Sequence, residues 1–322
     1  MTKVRAIVAG IMAAVLAPAA LAASWDMPTP YPDATFHSVN IGKFAADVKQ
    51  ATGGALDIKV HSAGSLFKHP EIKKAVRSGQ VPIGEFFLGL LANEHAVFAM
   101  DTLPFLAADY GAARKLADAT LPKIQEILAK QGLMLLYSVP WPPQGLYAKK
   151  QISSIADMKG LKFRAYNANT TRMAELAGAV PTQIEVADLP QAFATGRVEA
   201  MITSPSTGVS AKAWDFLSHF HHTQAWIPKN GVVVNQRAFA RLDGATQKAL
   251  KDAAARAEKR GWEMSKAETN AKIAVLKKNG VTIVTPSGGL MGSLKGIGQT
   301  MSDEWKKKAG ADGLALLKAY GQ

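Results

Sequence analysis

Short apolar segments alternate with longer amphipathic stretches over most of this 322-residue chain, and this alternation limits the fold more than any other feature. Leu56, Ile58 and Val60 alternate with polar residues, as in a half-buried strand, directly after a helical stretch that ends at Gly53 and Gly54. Further strands are predicted at 81–83, 133–139, 162–165, 200–203, 231–235 and 281–284, and helices at 37–51, 70–79, 111–130, 170–177 and 246–278. Strands that alternate with helices in this way predict an α/β protein with mainly parallel sheets.

The first 22 residues have the three parts of a secretory signal peptide. Lys3 and Arg5 form a basic start, 6–16 is a continuous apolar run, and 20–22 is an A-x-A cleavage site. The apolar run is shorter than the ~20 residues that a membrane-spanning helix needs, and no later segment reaches that length. We therefore expect cleavage near Ala22, export to the periplasm, and a mature chain that is soluble and not membrane-embedded.

The composition excludes several kinds of site. The chain contains no cysteine, so disulfides, thiolate nucleophiles and cysteine-ligated metals are ruled out. The formal net charge of +13 is compatible with binding to nucleic acids, anionic membranes or acidic ligands. The basic residues are scattered, however, and clusters such as 306–308 are short. We interpret them as a solvated surface and, given export, expect no nucleic-acid partner.

Common catalytic motifs are absent from the sequence. It has no G-x-G-x-x-G, phosphate loop, H-E-x-x-H or G-x-S-x-G pattern. The segment 65–68 matches S-x-x-K, but its companions S-D-N and K-T-G are missing. His219, His221 and His222 form the one histidine cluster, and their incomplete ligand set favours solvated or helix-capping histidines over a metal site. We expect no cofactor, no metal and no enzymatic activity.

One segment is more distinctive than the rest: 154–164, which reads Ser-Ile-Ala-Asp-Met-Lys-Gly-Leu-Lys-Phe-Arg and ends at Arg164. Other characteristic segments are 44–48 with 52–58, 64–66 with 75–79, 101–106, 177–182 with 189–196, and 234–236 with Phe239 and Leu242. In their order and spacing these segments resemble the extracytoplasmic solute-binding subunits of tripartite ATP-independent periplasmic (TRAP) transporters. The resemblance covers essentially the whole mature chain.

The resemblance implies a two-lobed, periplasmic-binding-protein-like α/β fold with hinge strands and a long lobe-spanning helix. The first lobe is expected to comprise residues 24–141 plus 230–269, and the second 142–229 plus 270–322. The ligand, a small organic acid, would lie in the cleft between the lobes and would be delivered to TRAP membrane subunits after a hinge closure. Uptake in this family is driven by an ion gradient and needs no nucleotide site.

The family motif assigns Arg164 to the ligand carboxylate. A guanidinium stays charged and presents a planar fork that can form two parallel hydrogen bonds with a carboxylate. Arg164 also follows a predicted strand and precedes the loop 166–171, where α/β proteins tend to bind ligands. Asn167, in the same loop, is a further candidate. Without the motif, Arg164 would be read as a surface arginine in a structural ion pair.

Two positions depart from the pattern of many relatives. Gln144 stands where they carry a second arginine, and Ser204 stands where others carry an asparagine. A second cation would favour dicarboxylates or sugar acids, so its loss beside Trp141 indicates a monocarboxylate with an apolar or aromatic body. We expect an aromatic or small 2-hydroxy or 2-oxo acid.

Aromatic residues provide the remaining candidates for the ligand site. Phe86 and Phe87, at the end of a first-lobe strand, could form another wall of the site, although aromatic residues are as often core. Tyr31 and Trp226 are weaker candidates.

Three alternatives stay open from the sequence. The chain could serve an ATP-driven uptake system or a sensory system instead of a TRAP transporter. Its ligand could be a C4-dicarboxylate or a uronic acid. It could also be an exported enzyme that uses the histidine cluster.

Overall fold

The computed structural model describes residues 23–322. The predicted signal peptide, residues 1–22 with cleavage near Ala22, therefore lies outside the described residues. Within 23–322, no helix combines the length and the apolar composition that crossing a bilayer requires.

Strands and helices alternate along the described chain. The strands are β1 Ala23–Pro28, β2 Leu56–His61, β3 Ile83–Phe87, β4 Leu133–Pro140, β5 Gly145–Ala148, β6 Lys162–Ala165, β7 Val180–Gln183, β8 Ala200–Thr203, β9 His219–His221, β10 Lys229–Asn235 and β11 Thr282–Val284. The α-helices are α1 Phe36–Ala51, α2 His69–Ser78, α3 Tyr110–Ala129, α4 Ala168–Leu176, α5 Leu189–Ala194, α6 Pro205–Ser210, α7 Gln236–Ala240, α8 Gly244–Lys278 and α9 Gly288–Tyr320, the last broken at Gly310.

The strands form sheets in two lobes. The first lobe contains the pair β1-β2 and the sheet β3-β10-β4, and the second contains the sheet β11-β9-β5-β8-β6-β7. The two-lobed α/β fold expected from the sequence is thus observed. The residue boundaries of the lobes stay a prediction.

The expectation of mainly parallel sheets is wrong. Of the eight strand pairings in the described chain, the four that involve β5 or β10 are antiparallel. A parallel neighbour needs a long crossover connection, usually a helix. The chain instead passes from β4 to β5 through 141–144 and returns from β9 to β10 through 222–228, so both strands enter their sheets without a crossover helix.

The two crossing segments lie side by side between the lobes. Trp141 N donates to Pro228 O at 2.8 Å, and Gln144 N donates to Trp226 O at 3.0 Å. Ala225 N donates back to Gln144 O at 2.9 Å. This ladder fixes the backbone on which Trp141, Gln144 and Trp226 stand.

Helix α8 spans both lobes. Asn40 Nδ2 of α1 donates to the carbonyl oxygen of Ala257 at 2.9 Å in the first lobe. Further along the helix, Glu268 accepts a hydrogen bond of 2.7 Å from Ser206 Oγ in the second lobe. The helix begins after Asp243, whose side chain accepts the Thr246 amide at 2.9 Å and caps the first turn.

Packing at the centre of α8 requires glycine. A Cβ added to Gly261 would lie 2.4 Å from Val139 Cγ2 and 2.9 Å from Asn40 Nδ2, whereas one added to Gly292 of α9 meets no atom within 4 Å. We expect Gly261→Ala to destabilise the protein by about 1–3 kcal/mol, because overpacking outweighs the better helix propensity of alanine. Gly292→Ala, the matched control, should gain up to about 1 kcal/mol. Thermal unfolding followed by circular dichroism measures both, and equal upward shifts in Tm would contradict the packing argument.

Candidate functional site

A cleft lies between the lobes, with about 450 Å³ of space unfilled by protein atoms when the part open to solvent is included. The first lobe contributes mainly aromatic side chains to its lining, and the second contributes the charged Arg164 and Glu185 together with Tyr166. Its lining comprises Tyr31, His69, Phe87, Trp141, Gln144, Arg164, Tyr166, Glu185, Val186, Thr203, Thr207 and Pro228. Of the nine residues predicted from the sequence, the structure brings five together here: Tyr31, Phe87, Trp141, Gln144 and Arg164.

Arg164 is the cation of the cleft. It lies near the end of β6, is only 4% exposed, and donates from Nε to the carbonyl oxygen of Ile184 at 2.9 Å. Its guanidinium carbon stands 4.8 Å from the centre of the Tyr166 ring, a cation–π contact. Within residues 23–322, Nη1 and Nη2 donate no hydrogen bond and no carboxylate oxygen lies within 4.0 Å of the group. The two terminal nitrogens can therefore serve a ligand.

Burial alters the acidity of Arg164 without removing its charge. Desolvation lowers the pKa of Arg164 to about 10, while the charge of Glu185 acts in the opposite direction. The guanidinium is therefore protonated at neutral pH. A planar cation with two available N–H edges in a desolvated cleft is suited to a carboxylate.

Glu185 is the anion of the cleft. It follows β7, and its Oε2 lies 3.1 Å from Nδ1 of His69, at the start of α2 in the other lobe. The amide of Phe87 donates to His69 Nε2 at 3.1 Å, so that nitrogen carries no proton and Nδ1 is the one that donates to Glu185. Burial would raise the pKa of the Glu185 carboxyl, but the hydrogen bond from His69 and the positive charge of Arg164 outweigh it and lower the pKa. Glu185 is therefore ionised at neutral pH.

Tyr31 and Trp141 form the first-lobe wall. Their rings meet edge to face with centroids 4.9 Å apart. Both side chains donate to the same oxygen, Asn230 Oδ1, Trp141 Nε1 at 2.9 Å and the Tyr31 hydroxyl at 3.3 Å. The shared acceptor sets the orientation of both rings.

A buried carboxylate holds Asn230 in turn. Glu85 is 2% exposed and accepts hydrogen bonds from Asn230 Nδ2 at 3.0 Å and from Thr29 Oγ1 at 2.6 Å. His37 Nδ1 lies 3.1 Å from Oε1, the oxygen that also accepts from Asn230. Burial would raise the pKa of Glu85, but its contacts with His37, Thr29 and Asn230 outweigh burial and lower the pKa. The aromatic wall thus rests on an ionised, fully buried group.

Tyr166 closes the cleft from the second lobe. Its hydroxyl accepts a hydrogen bond of 2.9 Å from Trp226 Nε1, and its ring meets that of Phe87 edge to face at 5.6 Å. Burial raises the pKa of Tyr166, so its hydroxyl stays neutral. Trp226 is buried behind Tyr166 and positions it without lining the cleft.

Three other predicted residues also lie outside the lining. Ser204 Oγ accepts the amide of Thr207 at 3.0 Å and caps α6, and Asn167 caps α4 in the same way through Thr170 N at 2.9 Å. Phe86 is 1% exposed and packs in the core, because successive strand residues point to opposite faces. The structure gives these three side chains structural contacts, and their part in binding stays a prediction.

The histidine cluster lies on and after β9, not at a helix end as expected. His221 is fully buried, accepts the Ile152 amide at Nε2 at 2.8 Å, and lies 3.1 Å from Leu146 O through Nδ1. These contacts tie β9 to its neighbours, and none of the three histidines lines the cleft. Among residues 23–322 no group of three or more histidine, aspartate or glutamate side chains is arranged to hold a metal ion.

Sequence reasoning missed several lining residues, above all His69, Tyr166 and Glu185. One signal could have found Glu185. Strands β6 and β7 are parallel with Arg164 opposite Thr182, so residues just after both strands meet at one sheet edge. No comparable signal exists for His69, which lies 116 residues from its partner Glu185.

Comparisons with known proteins match most of the chain. The family model for bacterial extracellular solute-binding protein, family 7, matches residues 31–307. The extracytoplasmic solute receptors DctP6 and DctP7 of Bordetella pertussis, both binding pyroglutamic acid, are 47% and 46% identical with TM-scores of 0.91 and 0.92. These alignments cover 92% and 94% of this chain and 99% and 100% of the receptors.

A third structure is a TRAP solute-binding protein specific for pyroglutamate from an unidentified microbe of a marine metagenome, in complex with co-purified pyroglutamate. It is 42% identical, with a TM-score of 0.91, over 93% of this chain and 98% of that protein.

The buried carboxylate behind the wall predicts a pH-dependent loss of stability. Because the pKa of Glu85 is lowered in the folded state, its contribution is present above the unfolded pKa of about 4.3 and is lost as pH falls through the folded value. We expect Glu85→Gln to lower the free energy of unfolding by about 2–4 kcal/mol at pH 7, with the difference narrowing below about pH 4. Urea unfolding across pH measures this. The control Glu175→Gln, at a glutamate that is 47% exposed, should lower the free energy of unfolding by less than about 1 kcal/mol. If Glu85→Gln lowered the free energy of unfolding equally at every pH, Glu85 would not be ionised in the folded protein as argued.

Proposed function

Since the chain belongs to family 7 of the bacterial extracellular solute-binding proteins, the extracytoplasmic solute receptors of TRAP transporters, we propose that it captures pyroglutamate. It would hold this cyclic monocarboxylate between its lobes in the periplasm and deliver it to the membrane subunits of a TRAP transporter. The three relatives that are 42–47% identical bind the same compound, which supports the choice of ligand.

The observation that carries the proposal is the buried Arg164 with two terminal nitrogens directed to no residue of the described chain. Pyroglutamate has one carboxylate, which would receive two parallel hydrogen bonds from this group. The absence of a second cation at Gln144 agrees with a single carboxylate.

The aromatic wall suits the body of the ligand. Tyr31, Trp141 and Phe87 offer flat, fixed faces against which a small ring can pack. A monocarboxylate was expected from the sequence, and that expectation is kept. The expected aromatic or 2-hydroxy or 2-oxo body is replaced in the proposal by a lactam ring.

We propose no catalytic role for the cleft. A histidine is the commonest general base, and the cleft lining contains one, His69. Both of its ring nitrogens are used, Nδ1 by Glu185 and Nε2 by the Phe87 amide. The histidine therefore has no free nitrogen with which to accept a proton from a bound molecule.

Arg164→Ala tests the proposed function. We expect it to weaken L-pyroglutamate binding by about 100-fold or more, because the ligand carboxylate would remain buried without its cation. Arg164→Lys should weaken binding less, by about 10-fold, since an ammonium keeps the charge and loses the fork. Isothermal titration calorimetry measures both, with circular dichroism as the check on folding.

Arg172→Ala is the matched control. This second-lobe arginine is 42% exposed and pairs with Glu175 and Glu304, away from the cleft lining. Its removal should leave the affinity unchanged. A wild-type protein that binds C4-dicarboxylates or uronic acids and ignores pyroglutamate would overturn the choice of ligand, and an Arg164→Ala protein with unchanged affinity would overturn the site.

A further inference from the structure

The cleft contains a negatively charged side chain, Glu185, as well as the positively charged Arg164. Binding of the ligand carboxylate by Arg164 leaves Glu185 without a role. Glu185 lines the same space as Arg164, although a ligand carboxylate would be repelled by it. We propose that Glu185 is the specificity-determining residue of the site: it accepts the ring N–H of a lactam acid and rejects ligands that present a second carboxylate. The inference rests on the proposed function and extends it to the part of the ligand that Arg164 does not bind.

Backbone geometry fixes the anion relative to the cation. Arg164 Nε donates to the carbonyl oxygen of Ile184, the residue directly before Glu185, at 2.9 Å. The guanidinium is therefore anchored on the same loop that carries the carboxylate. No carboxylate oxygen comes within 4.0 Å of the guanidinium in the described chain, so the two groups stand as separate neighbours and neither neutralises the other by direct contact. A ligand can meet both at once.

Glu185 retains capacity for a further hydrogen bond. A carboxylate can accept about four, and the His69 bond takes one. The side chain is 26% exposed, in contrast to the fully buried Glu85, and it is one of the residues that line the cleft. His69 reaches it from the opposite lobe and holds it in one orientation, as specificity for a single N–H requires.

Pyroglutamate is complementary to this arrangement. Its ring nitrogen is bonded to the carbon that carries the carboxylate, so a hydrogen-bond donor and an anion lie on one edge of a small molecule. The carboxylate would meet Arg164 and the N–H would meet Glu185. A dicarboxylate would place a second negative charge where Glu185 stands, and like charges in a desolvated cleft repel strongly.

The first arm of the experiment uses the wild-type protein and two ligands of the same shape. The carbocyclic analogue 3-oxocyclopentane-1-carboxylate has CH₂ in place of the ring N–H of pyroglutamate. We expect it to bind about 10- to 100-fold more weakly in calorimetric titration, because Glu185 would then be desolvated without a donor. Equal affinity for the two ligands would overturn the inference and leave the proposed function standing, and this arm requires no variant to fold.

The second arm uses Glu185→Gln. A carboxylate can serve His69 and the ligand N–H with its two oxygens, whereas an amide has one oxygen for two donors. We expect the preference for pyroglutamate over the carbocycle to fall below about threefold, and the affinity for glutarate, a dicarboxylate, to rise at least about 10-fold as the negative charge is lost. Glu175→Gln, at an exposed second-lobe glutamate, should change neither ratio.

The outcomes separate the two proposals. Binding of pyroglutamate that requires Arg164, with a preference over the carbocycle that Glu185→Gln retains, would overturn the role of Glu185 alone. No binding of pyroglutamate by the wild-type protein would overturn the proposed function and this inference together. Loss of the preference in Glu185→Gln, with a normal Tm and a gain for glutarate, supports the role of Glu185.

Discussion

The burial of the Arg164 charge is the constraint on which the rest of the cleft depends. Removing a guanidinium from water is costly unless hydrogen bonds and charges compensate. Here the compensation within the described chain is incomplete: one carbonyl oxygen, one aromatic face, and the negative charge of Glu185 without direct contact. Under the proposed function, a ligand carboxylate would add the missing hydrogen bonds, and the same interaction would bind the ligand and stabilise the closed cleft.

The two lobes contribute different chemistry to this interaction. The first supplies a rigid aromatic wall, in which Asn230 orients Tyr31 and Trp141 and is itself held by the buried Glu85. The second supplies the charges of Arg164 and Glu185 on adjacent parallel strands and loops. Neither lobe alone encloses a small acid, and selective binding therefore requires both at once.

The sequence predicted the fold class well and the strand directions less well. Periodicity located five of the nine described α-helices and seven of the eleven described strands, but it carries no information on whether a strand enters its sheet through a crossover or directly from the other lobe. That is why β10 was not recognised as antiparallel, whereas β5 was not predicted as a strand. For the site, the resemblance to the family led to Arg164 and to Gln144, which stands where many relatives carry a second arginine, and Trp141 was proposed because it lies beside Gln144. Ser204 and Asn167 both cap helices, as serine and asparagine before a helix typically do, and their part in binding stays a prediction. His69 could not be predicted as a site residue, since its role depends on contact with Glu185 in the other lobe.

The crossing segments explain why hinge and site coincide. The ladder between Trp141, Gln144, Trp226 and Pro228 lies on the segments that connect the lobes, and all of these residues except Trp226 also line the cleft. Two contacts bridge the lobes further out, His69 with Glu185 and Phe87 with Tyr166. Separating the lobes would break both bridges, and it would also release Glu185 from the orientation in which His69 holds it. Because Phe87 N also donates to His69 Nε2, the imidazole ring of His69 connects Phe87 to Glu185. A ligand that satisfies Arg164 and Glu185 together would therefore stabilise the closed arrangement more than one that satisfies only Arg164, which would leave Glu185 with His69 as its one hydrogen-bond donor.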